Sequence, residues 1–194
     1  KADSEAVITT DVGQNQVWVA QSFEVKKGQT LLFSGGHGAM GYSLPAAIGA
    51  WYARRKPVFC FCGDGGFQMN LQELQLISAY RLPVKIFVYN NRALGMIRHF
   101  QQMYFDCRYV QTLSQSGYFS CDLEKIAAAY HIPYHRLEKQ YEPLEQWMKE
   151  EGPALIEIVL PEQTLVQPKL AVGKPGTDQE PPLDRKLYRK LMEL

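Results

Sequence analysis

VFCFCGDGGFQMNLQELQLISAYRLPVKIFVYNN, residues Val58 to Asn91, is the stretch that decides the fold. Val58 to Cys62 is an apolar run of strand length. Asn70 to Tyr80 places Leu71, Leu74, Leu76 and Ile77 at helical spacing, and Val84 to Tyr89 is a second strand-like run. Strand, helix, strand is a βαβ unit, whose right-handed crossover makes the two strands parallel neighbours. Gly63-Asp64-Gly65-Gly66 closes the first strand and Asn90-Asn91 the second. Asp64 and Asn91 therefore arrive at one edge of the sheet, the edge at which open α/β sheets bind ligands. A carboxylate and an amide carbonyl are hard oxygen donors of the kind magnesium or calcium takes, and magnesium usually completes its octahedron with waters and phosphate oxygens. The spacing predicts a cation that carries a phosphorylated ligand.

Outward from this unit the alternation continues. Ala6 to Thr10 reads as a short strand running into the polar turn Asp11 to Gln16. Thr30 to Phe33 reads as a short element before the glycine-rich turn SGGHGAMG at 34–41. Leu44 to Arg55 has the pattern of a helix, with Pro45 tolerated in its first turn. Asp122 is placed to cap a helix over LEKIAAAYH, and Ala154 to Val159 forms another strand. The class is α/β: a single three-layer α/β/α domain on a mostly parallel sheet, expected over residues 1–162. Pro168, Pro175, Pro181 and Pro182 with Gly173 and Gly176 then punctuate residues 163–194. They predict a C-terminal arm that packs on a surface and ends in a short helix over LDRKLYRKLMEL.

A chain of 194 residues with 46% hydrophobic content supports one substantial core. Its 21 basic and 20 acidic side chains leave a formal charge of +1, which argues against nucleic acid or an anionic membrane as a partner. No apolar run reaches the length of a membrane span, and the opening KADSEAVITT lacks the apolar core of a signal peptide. The expectation is a soluble, cytoplasmic protein. Cys60, Cys62, Cys107 and Cys121 do not have the paired spacing of a zinc site. Cys60 and Cys62 share one strand face and read as small buried apolar residues.

Two other readings compete at the glycine-rich turns. Gly36-His37-Gly38-Ala39-Met40-Gly41 fits G-x-G-x-x-G, with Asp64 placed 23 residues beyond the last glycine, as in a nicotinamide dinucleotide fingerprint. That fingerprint gives no role to Asn90-Asn91 or to glycines on both sides of the acid. Gly65 and Gly66 suit the close approach of a diphosphate to main-chain N–H groups at a helix start. Ordinary turns with no ligand are the remaining alternative.

Gly63-Asp64-Gly65 followed by Asn90-Asn91 resembles the thiamine diphosphate signature. DVGQNQVW (11–18), FSGGHGAMGYSLPAAIGA (33–50), GDGGFQMNLQEL (63–74) and LPVKIFVYNNRALGMIRHFQ (82–101) extend that match. In order, they resemble the cofactor-diphosphate domain of the acetolactate synthase and glyoxylate carboligase group. The resemblance implies thiamine diphosphate and Mg2+ as cofactors, with Asp64, Asn91 and the main-chain carbonyl of Ala93 as metal ligands. It implies that Gln14, Asn15 and the amides of Gly65 and Gly66 meet the diphosphate, and that Gly95 and Met96 sit where the chain turns over it. Gly38 and Met40 correspond to positions that meet the aminopyrimidine, where an unbranched, polarizable side chain can wedge between the two rings.

The implied activity is decarboxylation or carboligation of a small-molecule 2-oxo acid. The activating glutamate of such enzymes lies on a pyrimidine-binding domain of the same or another chain. These 194 residues are therefore expected to be part of a longer enzyme or a split subunit, silent alone, within a homodimer or homotetramer. Some positions depart from the pattern: Asn15 stands where a histidine is usual, His37 where a leucine is, and Phe100 where a tryptophan shapes the substrate pocket. His37 and Phe100 are thus candidates for the substrate pocket. No catalytic residue is assigned within the chain, although His37 is a candidate proton-transfer group, set against the simpler reading of a hydrogen-bonding spacer. His99 reads as solvent-facing, and His131 and His135 as surface positions flanking a strand. Trp18, Met103, Tyr104 and Phe105 are candidates for an apolar interaction face. A non-catalytic descendant that keeps the fold as an interaction or regulatory module is the alternative of a different class.

Overall fold

The structure is a computed structural model and describes residues 5–139 and 141–194. Two compact units divide the chain after Thr164. In the first, the elements follow in the order β1 (Val7–Thr10), α1 (Gln14–Ser22), β2 (Thr30–Phe33), α2 (Ser43–Arg54), β3 (Val58–Gly63), α3 (Asp64–Phe67), α4 (Glu73–Ala79) and β4 (Val84–Asn90). After these come α5 (Gly95–Tyr104), α6 (Leu123–Ala129), β5 (Tyr134–Leu137), α7 (Leu144–Lys149) and β6 (Ala154–Val159). The six strands form one sheet in the order β2-β1-β3-β4-β6-β5, with every pairing parallel.

Alternation along the strands builds the two faces. Val58, Cys60 and Cys62 on β3 and Val84, Ile86 and Val88 on β4 enter one core, with Leu44, Ala47 and Ile48 of α2, Leu74 and Ile77 of α4, and Leu123 and Ala127 of α6. Phe59 and Phe87 point the other way, into a smaller cluster with Leu144, Trp147 and Met148. Helices thus cover both faces, as a sheet with apolar residues on both sides requires. Cys60 and Cys62 are fully buried and unpaired as disulfides, which is the small-apolar role expected of them.

The segment that decides the fold behaves as expected at its ends and differs in its middle. The register Val58↔Val84 through Gly63↔Tyr89 makes β3 and β4 parallel neighbours. The helix expected over 70–80 is shortened to α4 at Glu73–Ala79, and two further helical pieces, α3 and a 3-10 turn at Gln68–Asn70, precede it. Helical backbone begins at Asp64 itself, so Gly65 and Gly66 lie in the first turn of a helix rather than in a preceding loop. Likewise, the polar turn expected at Asp11 to Gln16 is cut short, because α1 begins at Gln14. Asp122 caps α6 by accepting from the Lys125 N–H at 3.1 Å.

β1 lies between β2 and β3, so the chain leaves β1 in one direction and returns on its other side. The carboxyl ends of β1 and β3 therefore flank a topological switch point, the crevice where ligands settle in such sheets. Asp11, Gln14, Asp64 and Asn91 all follow strands at this edge.

The second unit, Leu165–Leu194, contains a two-residue antiparallel pair, β7 (Lys169–Leu170) with β8 (Gln179–Glu180), and a terminal helix α8 (Arg185–Met192). Asp184 caps α8 through the N–H groups of Lys186 and Leu187, both at 3.0 Å. Among the described residues no helix is long and apolar enough to cross a membrane.

Candidate cofactor site

A cavity of about 250 Å³ opens at the switch point. Its walls include Gln14, Asn15, Gly38, Met40, Asp64, Gly65, Gly66, Asn91, Ala93, Gly95 and Met96, so the expected metal and cofactor positions all meet in one place. α1, α3 and α5 each begin with a lining residue, which directs their free N–H groups toward the space. His37 and Phe100 are exposed and line none of this cavity. Trp18, a candidate for an apolar interaction face, forms part of its wall and packs edge-on against Tyr89 at 5.6 Å.

Asp64 is 2% exposed. Tyr118 donates its hydroxyl to Asp64 Oδ2 at 2.9 Å, and Gln68 Nε2 donates to the Tyr118 oxygen at 3.1 Å. Burial pushes the Asp64 carboxyl up to about 6, against the smaller, opposite effect of the Tyr118 hydrogen bond. Tyr118 rises too, through burial and the neighbouring Asp64 charge. No salt bridge reaches Asp64 among the described residues.

Asn91 is also buried. Its Nδ2 donates to Gln14 Oε1 at 2.9 Å, and its Oδ1 accepts from the Ala93 N–H at 3.2 Å, leaving one oxygen lone pair. Gln14 Nε2 donates to the Thr164 carbonyl at 2.8 Å. Asn15 Nδ2 donates to the Asp11 carbonyl at 2.8 Å. Arg92 takes the left-handed conformation between the lining residues Asn91 and Ala93.

The adjacent asparagine has a different task. Asn90 Nδ2 donates to Glu157 Oε1 at 2.6 Å, and its Oδ1 accepts from the Arg92 N–H and the Ser120 hydroxyl. Glu157 also accepts from the Tyr134 hydroxyl. Asn90 therefore ties β4 to β6, while Asn91 faces the cavity.

Asp11, Tyr118 and the Gln14–Asn91 bond are elements that sequence reading does not supply. Asp11 is fully buried. Its Oδ1 accepts from the Val12 and Gly41 N–H groups, and its Oδ2 from the Ser43 N–H and hydroxyl, at 3.0 to 3.1 Å. It thus staples the end of β1 to the turn that carries Gly38 and Met40. A Cβ on Gly66 would lie 2.7 Å from Asp11 Oδ1, so bareness at Gly66 serves this carboxylate as well as any ligand. Asp11 begins the DVGQNQVW stretch, which is the only sequence signal it carries. His99, expected in solvent, is 6% exposed on α5, because that helix turns its fourth and fifth positions, Arg98 and His99, inward. His135 lies within β5 rather than beside it, bonded to Glu150 at 2.8 Å and stacked on Trp147.

The donor set suits a hard cation. Among the described residues no group of three His, Cys, Asp or Glu side chains could hold a metal, so any ion here must draw on Asp64 together with amide and main-chain oxygens. Asp64 supplies a buried carboxylate without a cationic partner, and Asn91 supplies an oriented oxygen. Among the described residues no Lys, Arg or His lines the cavity. A diphosphate could be neutralised here only by a cation it brings with it, aided by helix N-termini.

Residues 11–158 match the family model of the thiamine pyrophosphate enzyme C-terminal TPP-binding domain, and the chain belongs to that family. The acetolactate synthase large subunit of Lactococcus lactis is 39% identical over 173 residues, covering 87% of this chain and 29% of the relative. Acetolactate synthase isozyme 1 large subunit of Escherichia coli K12 is 37% identical over 180 residues, 91% of this chain and 32% of the relative. The probable acetolactate synthase large subunit of Methanocaldococcus jannaschii is 41% identical over 159 residues, 79% and 26% respectively. The chain spans about three-tenths of the length of these relatives. Family membership sets the nicotinamide reading aside: Gly36 to Gly41 belong to a turn that carries lining residues of the thiamine pyrophosphate domain.

Proposed function

We propose that this chain is the cofactor-diphosphate domain of an enzyme that decarboxylates or ligates a small 2-oxo acid, in the manner of an acetolactate synthase. Asp64, Asn91 and the Ala93 carbonyl would hold Mg2+, and the N–H groups of Gly65, Gly66 and the α5 start would meet the diphosphate. The observation that carries this reading is the cavity's charge pattern: one buried carboxylate, no cationic side chain, and three helix starts. Thiamine diphosphate, when bound, supplies a nucleophilic ring carbon and an electron sink for the carbanion left by loss of carbon dioxide. The chain's own residues bind and orient. Met40 would pack against the cofactor's rings, Trp18 and Tyr89 would exclude water on one side, and Asp64 would anchor the cation.

The reading includes a partner. A pyrimidine-binding domain, of the same or another chain, would complete the site, most simply in a homodimer or homotetramer. The similarity to acetolactate synthase large subunits, of whose length the chain spans about three-tenths, supports the acetolactate synthase class. The test is calorimetric titration of thiamine diphosphate with Mg2+ present and with it chelated, followed by a screen of 2-oxo acids for carbon dioxide release with and without the pyrimidine-binding domain. Binding that requires Mg2+, and is lost in Asp64→Ala while the circular dichroism spectrum is unchanged, is the expected result. Metal-independent binding would overturn the metal assignment, and full turnover by the chain alone would overturn the half-site.

A further inference from the structure

We infer that Gln14 is a positioning residue that sets which atom of the Asn91 amide faces the cation, and that the setting originates at the main-chain carbonyl of Thr164. The inference rests on the reading of Asn91 as a metal donor. A carbonyl oxygen can only accept. Gln14 must therefore turn its Nε2 toward Thr164, where it lies at 2.8 Å, and this leaves Oε1 facing the other way. That oxygen can only accept, so Asn91 must turn its Nδ2 toward it, at 2.9 Å. What remains to face a ligand is Asn91 Oδ1, an orientation that the Ala93 N–H, donating to the same oxygen at 3.2 Å, supports from the main chain. Reversed, the same side chain would aim an N–H2 group at a cation and repel it.

Three observations strengthen this relay. Arg98, 4% exposed, donates Nη2 to the same Thr164 carbonyl at 3.0 Å, so a permanently charged donor holds the acceptor on which the polarity depends. Gln14 and Asn91 are each 5% exposed, so water has little access to either amide as a competing partner. A Cβ on Gly95 would lie 2.0 Å from Gln14 Oε1 and 2.6 Å from Asn91 Nδ2. The first residue of α5 is thus bare at the point where the two amides meet.

The relay joins the starts of α1 and α5 with the segments that follow β4 and β6. Gln14 and Thr164 are 150 positions apart, and Gln14 and Asn91 are 77 apart. Partners that orient a metal's ligands typically change affinity about 10- to 100-fold when removed.

A double-mutant cycle reads this directly. Mg2+ is titrated into the full chain with saturating thiamine diphosphate, by calorimetry, and Mn2+ binding is followed in parallel by electron paramagnetic resonance. Gln14→Met should weaken metal binding about 10-fold or more beside Asn91. In the Asn91→Asp background the donor has two equivalent oxygens and no orientation to set, so the same change should cost less than about threefold. Equal losses in both backgrounds would overturn the positioning role in favour of general support. Wild-type protein that binds no metal, or an Asn91→Ala variant that binds it unchanged, would overturn the metal reading itself.

Discussion

The Tyr118 hydroxyl is bonded to Asp64 Oδ2 at 2.9 Å, joining residues 54 positions apart in a site where the acid has no cationic partner. The hydrogen bond holds one carboxylate oxygen in place. It also favours the ionised form, opposing the burial that raises the group. Tyr118→Phe should therefore move the metal-free Asp64 titration above its value of about 6, read by carboxyl-carbon NMR, and cost about 1 kcal/mol of stability. An unmoved titration would show that the bond does not act on the carboxylate.

Stability of the metal-free protein should depend on pH with a defined sign. The folded Asp64 carboxyl is raised from 3.8 to about 6, so the folded state binds its proton more tightly than the unfolded chain does. The resulting stabilisation is complete below about 3.8 and is lost as pH rises through about 6, amounting to about 3 kcal/mol. Asp11 is raised by burial as well and acts in the same direction. Urea midpoints across this window should fall with pH, and Asp64→Asn should flatten part of the fall. Mg2+ must displace the Asp64 proton, so its affinity should weaken below about pH 6.

Asp11→Ala should be more damaging to the fold than loss of any other residue around the cavity. It removes the acceptor of three N–H groups and the Ser43 hydroxyl in a fully buried position, at a cost of about 3 kcal/mol. Gly66→Ala would press a methyl group against the same carboxylate and should cost about 2 kcal/mol. Because both changes act at one contact, the double variant should lose less than the sum, measured by chemical denaturation.

The two asparagines should separate by phenotype. Asn90→Ala leaves the buried Glu157 without its amide donor at 2.6 Å and should lower stability by about 2 kcal/mol with only a modest effect on Mg2+ affinity. Asn91→Ala should do the reverse. Parallel thermal melts and metal titrations distinguish them, and matching profiles would contradict the division of roles.

Local residue patterns carried much of this protein. The alternation in VFCFC and VKIFVY, with a turn after each run, was enough for two parallel strands and for Asp64 and Asn91 at one edge, because a crossover constrains direction and the pleat constrains facing. The helix between them was less legible. Its apolar spacing was real, but Leu71 falls in a turn, because the chain first spends Asp64–Phe67 and Gln68–Asn70 on placing the cavity's glycines. His99 was misread because polarity says nothing of which way a short helix rolls.

What the sequence by itself determined is the α/β architecture, the thiamine diphosphate signature and the residue types available to a cation and a diphosphate. Only the tertiary structure decided what each of those residues does. Asn90 faces Glu157 and Asn91 faces the cavity; Gly66 yields to Asp11 and Gly95 to Gln14; Tyr118 and Thr164 reach the site from distant segments. Strand and turn signals depend on neighbours within a few residues. The direction of a buried hydrogen bond depends instead on partners brought from 54 to 150 positions away, and only the folded chain places them side by side.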